Sequence, residues 1–247
     1  MMRPLLLIQT GEAPEALCRQ FGGFAKWFEA AMRIGRERLQ VVRVDAGEPL
    51  PAPAKVAGAV ITGSAAMVTD RADWSERTAE WIRAAMRTQT PMYGVCYGHQ
   101  LMAHALGGTV GWLPAGREIG TELVTRRAAS DAELPAPLPA SFPAHTTHRQ
   151  SVLAPPPGAE VLARSVRDPC QLLRYGPVAL SSQFHPEFTA PIMRGYIAAR
   201  ADTLRTEGQD PDVLAARVRD AEAARALLEG FAHAALDAKP VAAARRA

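Results

Sequence analysis

Pro91-Met92-Tyr93-Gly94-Val95-Cys96-Tyr97-Gly98-His99-Gln100 runs from a short apolar stretch through a glycine-flanked turn into Gln100 to Leu106, which has helical spacing. A strand that feeds directly into a helix is the repeating unit of α/β domains, and the neighbouring sequence repeats it. Leu5 to Ile8 reads as a buried strand, and Glu15 to Met32 as one amphipathic helix that tolerates Gly22-Gly23. Leu39 to Val44 is a second strand, and Val56 to Thr62 a third beyond the loop marked by Pro49, Pro51 and Pro53. Ser75 to Arg87 places Trp81, Ile82, Ala85 and Met86 at helical spacing. The alternation predicts an α/β fold with a mostly parallel central sheet and helices on both faces. Such sheets carry their reactive loops at the carboxyl ends of the strands.

After Gly107-Gly108 the pattern shifts to short strand-like pieces at 109–112, 119–126, 161–165, 171–175 and 178–184. Proline clusters at 135–143 and 155–157 punctuate them, which suggests small antiparallel additions joined by loops. Helical stretches follow at 191–206, 211–220 and 221–237. The division expected is a catalytic domain over 1–190, a helical extension over 191–237 packed on the same domain, and a disordered tail over 238–247.

The chain has 247 residues, 48% hydrophobic and 21% charged, enough for a large core. Its net charge of +3 is spread among acidic residues and forms no run, so nucleic acid is not an expected partner. Three cysteines, Cys18, Cys96 and Cys170, are too few for a disulfide framework, and the six histidines form no obvious metal set. The apolar run Leu5 to Ile8 is too short for a signal peptide or a membrane span. These features predict a cytoplasmic protein with reduced thiols, no cofactor and no metal.

Most free cysteines are small buried core residues. Cys96 differs in lying between a strand and a helix, the form of a nucleophile elbow. Glycines on both sides let the backbone turn and keep the approach to sulfur open. The helix that follows aims its amino end at the site, favouring a thiolate and an oxyanion. The Tyr97 N–H is then a natural oxyanion donor.

Gln183-Phe184-His185-Pro186-Glu187 follows another strand-like run. Pro186 favours an extended backbone at His185. Residues two apart in an extended segment share a face, so Glu187 can reach the imidazole. By itself the segment fits a surface histidine beside a salt-bridging glutamate equally well. Together with the Cys96 elbow it supplies nucleophile, base and orienter.

This pair of motifs resembles the class I glutamine amidotransferases, which combine a Gly-x-Cys-x-Gly-(His)-Gln turn with a later His-Pro-Glu. The resemblance covers roughly residues 1–190 and implies the flavodoxin-like sheet of that family. It implies that Cys96 forms a γ-glutamyl thioester, that His185 is its base and that Glu187 orients the base. Val60-Ile61-Thr62-Gly63-Ser64 lies where the family has a strand followed by Ser-Gly-Gly-Pro, which makes Gly63 and Ser64 oxyanion-hole candidates with Tyr97. Thr147-His148-Arg149-Gln150 resembles the family's Ser/Asn-His-Gly segment, with Arg149 in place of glycine. On that basis Gln100 and His148 are candidate substrate contacts. A purely structural role, as hydrogen-bonded buried polar groups, fits each of these two as well.

His99 and His104 lack HExxH spacing, and neither GxGxxG nor GxxxxGK[ST] occurs. Trp74 and Trp81 are seven apart, which suits core packing. The expected substrate is glutamine or another γ-glutamyl compound. The first expectation is a glutaminase reaction passing ammonia to a separate synthetase subunit, because no Ser-Gly-Gly-x-Asp-Ser loop is present. A stand-alone γ-glutamyl peptidase and a catalytically silent γ-glutamyl-metabolite-binding regulator are the alternatives.

Overall fold

The computed structural model describes residues 3–127 and 134–238. The expected tail at 238–247 therefore lies, beyond Ala238, outside the described residues. Strand β1 (Leu5–Gln9) opens the chain and is buried throughout. Its side chains alternate between two apolar layers: Leu5 and Leu7 enter one, Leu6 and Ile8 the other. A continuous apolar run of this kind belongs to a strand covered on both faces.

Around β1 lie β2 (Leu39–Arg43), β3 (Gly58–Ile61) and β4 (Met92–Val95). The sheet then continues through β6 (Glu118–Arg126), β7 (Ser141–His148), β9 (Glu160–Arg164), β10 (Leu172–Arg174) and β11 (Ala179–Ser182). The order is β2-β1-β3-β4-β11-β10-β9-β6-β7. The first five strands are parallel and the remaining pairings antiparallel. Strand β5 (Thr109–Trp112) pairs with β8 (Gln150–Ala154) in a separate antiparallel ribbon.

On one face α2 (Phe24–Met32) and α8 (Glu222–Asp237) pack Trp27, Phe28, Leu227 and Phe231 onto Leu5, Val60 and Tyr93. On the other, α3 (Asp73–Arg87) and α4 (Tyr97–Ala105) pack Ile82, Ala85, Leu101 and Met102 onto Leu6, Ile8 and Ile61. Helices α5 (Ala190–Ala199) and α7 (Pro211–Ala216) pack against β6, and α6 (Ala201–Thr206) packs on both of them. Among the described residues no helix is long and apolar enough to cross a membrane.

Several boundaries differ from the sequence expectations. The helix expected over 15–32 is two, α1 (Glu15–Phe21) and α2. Gly22 turns the chain at φ +83°, a conformation glycine adopts without strain. The Glu12 carboxylate then accepts the N–H of Phe24, capping the new helix at 2.9 Å. The helix expected over 191–206 likewise breaks at Arg200 into α5 and α6, and that over 211–220 stops at Ala216. Strands β7 and β8 were hidden by proline content and by the motif reading. Pro143 sits inside β7, which is tolerated because β7 is the sheet edge, where a missing N–H breaks no ladder.

Candidate active site

Three parallel strand tips meet at one place. In the register of β4 and β11, Val95 lies beside Ser182, and the Cys96 N–H donates to the Ser182 carbonyl at 2.8 Å. His185 follows three residues later, and its N–H is fixed to the His145 carbonyl of β7 at 2.8 Å. Strand β3 ends at Ile61, delivering Thr62 and Gly63 to the same spot. Thr10, just past β1, bonds through its hydroxyl to the carbonyls of Thr62 and Gly63, fixing the path of that turn.

Cys96 has φ +52° and ψ −100°, a sparsely populated conformation for a residue with a Cβ. Such a backbone costs about 1–3 kcal/mol and persists only where surroundings over-determine it. The Ser182 carbonyl on one side and the Gln100 N–H, which donates to the Cys96 carbonyl at 3.0 Å, hold it. The flanking glycines serve a purpose different from the one expected. A Cβ on Gly98 would stand 2.4 Å from the Ile61 carbonyl oxygen, and one on Gly94 would stand 2.6 Å from the Gly98 carbonyl oxygen. They let α4 approach β3 and β4 closely, while the cysteine itself takes the strained turn.

His185 and Glu187 are buried, at 3% and 0% exposure. The imidazole Nδ1 donates to Glu187 Oε1 at 2.7 Å. Glu187 reaches it through a tight turn after β11, and not along an extended segment. The ring stacks on Phe188 with centroids 4.1 Å apart, which fixes its plane. Nε2 has no nitrogen or oxygen partner. Gly63 touches both key side chains: a Cβ there would lie 3.1 Å from His185 Cε1 and 3.6 Å from Cys96 Cβ. Burial opposes charge on the His185 ring. Glu187 and then the Cys96 sulfur outweigh it and push its pKa up to about 10. Cys96, His185 and Glu187 are thus brought together, with the ring held between carboxylate and sulfur.

The oxyanion candidates surround the same point. Tyr97 opens α4, where the first N–H groups lack acceptors within the helix, and its hydroxyl is anchored on Ser75 Oγ at 2.7 Å. Gly63 adjoins the Cys96 side chain at its Cβ, and Ser64 follows in the same turn and lines the cavity beside it. That cavity, about 320 Å³, is bounded by Cys96, Tyr97, Gln100, Thr147 and His148 together with Arg117, Arg149 and Arg200. A smaller one of about 170 Å³ adjoins it, sharing Ser64, Cys96, Thr147 and Arg200 and reaching His185, Glu12 and Tyr196.

Gln100 and His148 reach the cavity wall, but the Nε2 atom of each is turned to protein partners. Gln100 Nε2 donates to the Gln150 carbonyl at 2.7 Å and to Gln183 Oε1 at 3.0 Å. His148 Nε2 lies 3.1 Å from Asp168 and 3.5 Å from Glu118, both fully buried. Ligand atoms of these three residues fall within 4.8 Å of one another, a grouping that sequence spacing does not reveal. The carboxylates already accept four short hydrogen bonds. Ser165 and Gln171 donate to Glu118, while Ser151 and the Cys170 N–H donate to Asp168. Burial works to raise Asp168, yet the His148 ring and the Ser151 hydroxyl hold it below the ordinary carboxylate range. This is a buried polar network that stiffens the wall behind the cavity.

Two further histidines sit neutral in the interior. Burial lowers the pKa of His99 and of His145 from 6.5 to about 4. Between those values the unfolded chain binds more protons, so stability is expected to fall as pH drops from 6.5 toward 4. The contribution of His185 has the opposite sense: it is complete below 6.5 and is lost as pH rises through about 10. Thermal melts across this range check both; a midpoint that stays level from pH 7 to 4 would contradict neutral burial of the pair.

The sequence matches the family model described as "Glutamine amidotransferase class-I" over residues 21–199. It is 32% identical over 186 residues to a GMP synthase [glutamine-hydrolyzing] of Aeropyrum pernix, covering 73% of this chain and 34% of that protein. The chain thus spans about a third of that relative's length. It is 27% identical over 198 residues to gamma-glutamyl peptidase 2 of Arabidopsis thaliana, covering 78% of this chain and 79% of that protein. In fold it is similar to a glutamine amidotransferase from Thermotoga maritima, with a TM-score of 0.74 at 20% identity over 96% of this chain and 100% of that one. A glutamine amidotransferase from Methylobacillus flagellatus gives a TM-score of 0.74 at 24% identity, over 96% and 94%.

Proposed function

The chain belongs to the class I glutamine amidotransferase family, and from that premise we propose that it hydrolyses the side-chain amide of glutamine or of another γ-glutamyl compound through Cys96. The observation that carries the reading is the buried imidazole of His185, held by Glu187 at 2.7 Å and facing a cysteine in a strained strand-to-helix turn. In this reading residues 1–190 supply the chemistry, and the helices of 191–237 complete the core that supports it.

The Cys96 sulfur, its proton already held by His185, bonds as thiolate to the γ-carbonyl carbon. The Tyr97 N–H and the Gly63-Ser64 turn receive the oxyanion. Losing one such donor typically costs about a hundredfold or more in rate. The C–N bond then breaks, and His185 returns its proton to the departing nitrogen. Water adds to the thioester with His185 again as base, the C–S bond breaks, and glutamate leaves. Glu187 keeps the ring in the tautomer that presents Nε2 and stabilises its charge.

The released nitrogen has two possible fates. Passed as ammonia to a separate synthetase, it makes the chain an amidotransferase subunit, a reading supported by the similarity to GMP synthases. Released as a free amine, it makes the chain a γ-glutamyl peptidase, supported by the similarity to the Arabidopsis peptidases. Purified protein assayed for ammonia and amine release from glutamine and from γ-glutamyl peptides tests the common chemistry. Turnover with at least one of them is expected. Failure to hydrolyse any, together with failure of an electrophilic glutamine analogue to label Cys96, would leave a binding protein.

A further inference from the structure

We propose that the pocket beside Cys96 selects γ-glutamyl substrates whose departing amine itself carries a carboxylate, and that Arg149 and Arg200 supply the charge that holds it. The proposal rests on the hydrolase reading above and specifies its substrate class as γ-glutamyl amino acids or peptides.

Three arginines and no aspartate or glutamate line the 320 Å³ cavity. Arg117 is neutralised by Glu207, which it holds with Nε and Nη2 at 2.7 and 2.9 Å. The other two guanidiniums have no such carboxylate among the described residues. Arg149 lies over the exposed Trp112 ring at 5.1 Å, and Arg200 lies over Tyr196 at 4.7 Å. Nη1 of Arg200 is buried and finds no acceptor. A buried donor without an acceptor costs free energy, more so on a charged group, and a bound anion removes that cost. The charges also crowd one another: burial first, then the nearby Arg117 and Arg149, lowers the pKa of Arg200.

The number of cations bears on the choice of substrate. Every γ-glutamyl compound brings one α-carboxylate, and one guanidinium fork satisfies one carboxylate. Two guanidiniums without a directly paired carboxylate, Arg149 feeling Glu207 only at a distance, have charge left for a second. Glutamine, whose departing group is ammonia, offers none. At about 320 Å³ the cavity reaches the range of pockets that take ligands larger than a single amino acid. Arg149 stands where the resembling motif has glycine. Arg200 lies one residue beyond the family match, at the break between α5 and α6. Arg149 thus departs from the motif it resembles, and Arg200 lies past the matched segment.

The test compares kcat/KM for γ-glutamylglycine with that for γ-glutamylglycinamide, which differ only in the terminal charge. The acid is expected to be preferred by about tenfold or more, chiefly through KM, as charge-assisted hydrogen bonds imply. Added salt should shrink the ratio. Arg200→Gln and Arg149→Gln should each move it toward one, and Arg200→Lys should retain part of it, keeping the charge but losing the fork. Equal turnover of acid and amide by the wild-type protein would overturn the selection while leaving the hydrolase reading intact. A preference that survives both glutamine substitutions would overturn the assignment to these arginines. Absence of turnover with every γ-glutamyl compound would overturn both readings at once.

Discussion

Cys96→Ala is expected to fold and to lose γ-glutamyl turnover by about four orders of magnitude or more, the scale on which removal of a covalent nucleophile acts. Nothing else described around the cavity offers a substitute. Cys170 is buried elsewhere with its thiol pushed up to about 11 by burial, and Cys18 lies on α1 with its thiol bonded to the Ala13 carbonyl. The fold should survive because the turn is held by backbone bonds that alanine retains, the Cys96 N–H to Ser182 and the Cys96 carbonyl to Gln100. A second substitution sharpens the argument. Glycine relieves the positive φ at position 96, while its freer unfolded chain costs about 0.5–1 kcal/mol. Cys96→Gly is therefore expected to melt no lower than Cys96→Ala although both are inactive. Steady-state assays of amine release and thermal melts check the pair. Appreciable turnover by a clean Cys96→Ala protein would remove the nucleophile assignment.

Gly98→Ala should be among the most damaging single methyl additions in the molecule, about 3 kcal/mol of destabilisation or more. The new Cβ would stand 2.4 Å from the Ile61 carbonyl oxygen and 2.9 Å from Ile61 Cβ, and a backbone carbonyl in mid-sheet cannot swing aside. Helix α4 would have to lift from β3, breaking the bond from the Gly98 N–H to the Thr62 carbonyl and moving the Tyr97 N–H away from the sulfur. Activity should fall with stability. Gly116→Ala separates crowding from conformation: Gly116 has φ +75° with nothing within 4 Å. Its cost should be limited to the backbone strain of about 1–2 kcal/mol. Denaturant midpoints of the two variants measure the difference, and equal losses would show that the α4–β3 approach is not the constraint.

The parallel half of the fold was legible because buried strands such as Leu5 to Ile8 and Val56 to Thr62 are short apolar runs bounded by turn residues. The antiparallel half was less so. Strand β7 carries Pro143, His145 and His148, a composition that reads as loop, and only its edge position makes it possible. Cys96 and His185 could be paired from their motifs, since each follows a strand and parallel neighbours end together. Arg200 and Arg149 could not be linked, because no periodicity connects the end of a helix to the far end of a hairpin. The grouping of Glu118, His148 and Asp168 was hidden for the same reason. Gln100 illustrates the opposite limit: its place in the turn after Cys96 was legible, but whether its amide faces a ligand or the Gln150 carbonyl depends on packing.

Helix α8 covers β1 and β3, with Phe231 against Tyr93 at 5.4 Å and the His233 ring reaching the Met32 carbonyl at 3.1 Å. A ribosome therefore makes the first strand long before the helix that shields it. At roughly 5–20 residues per second, Leu5, Leu7 and Val60 wait on the order of ten seconds or more for that shield. Through the interval α2 is the early-made helix that can cover part of this face, and the rest stands open on the nascent chain until synthesis has passed residue 237.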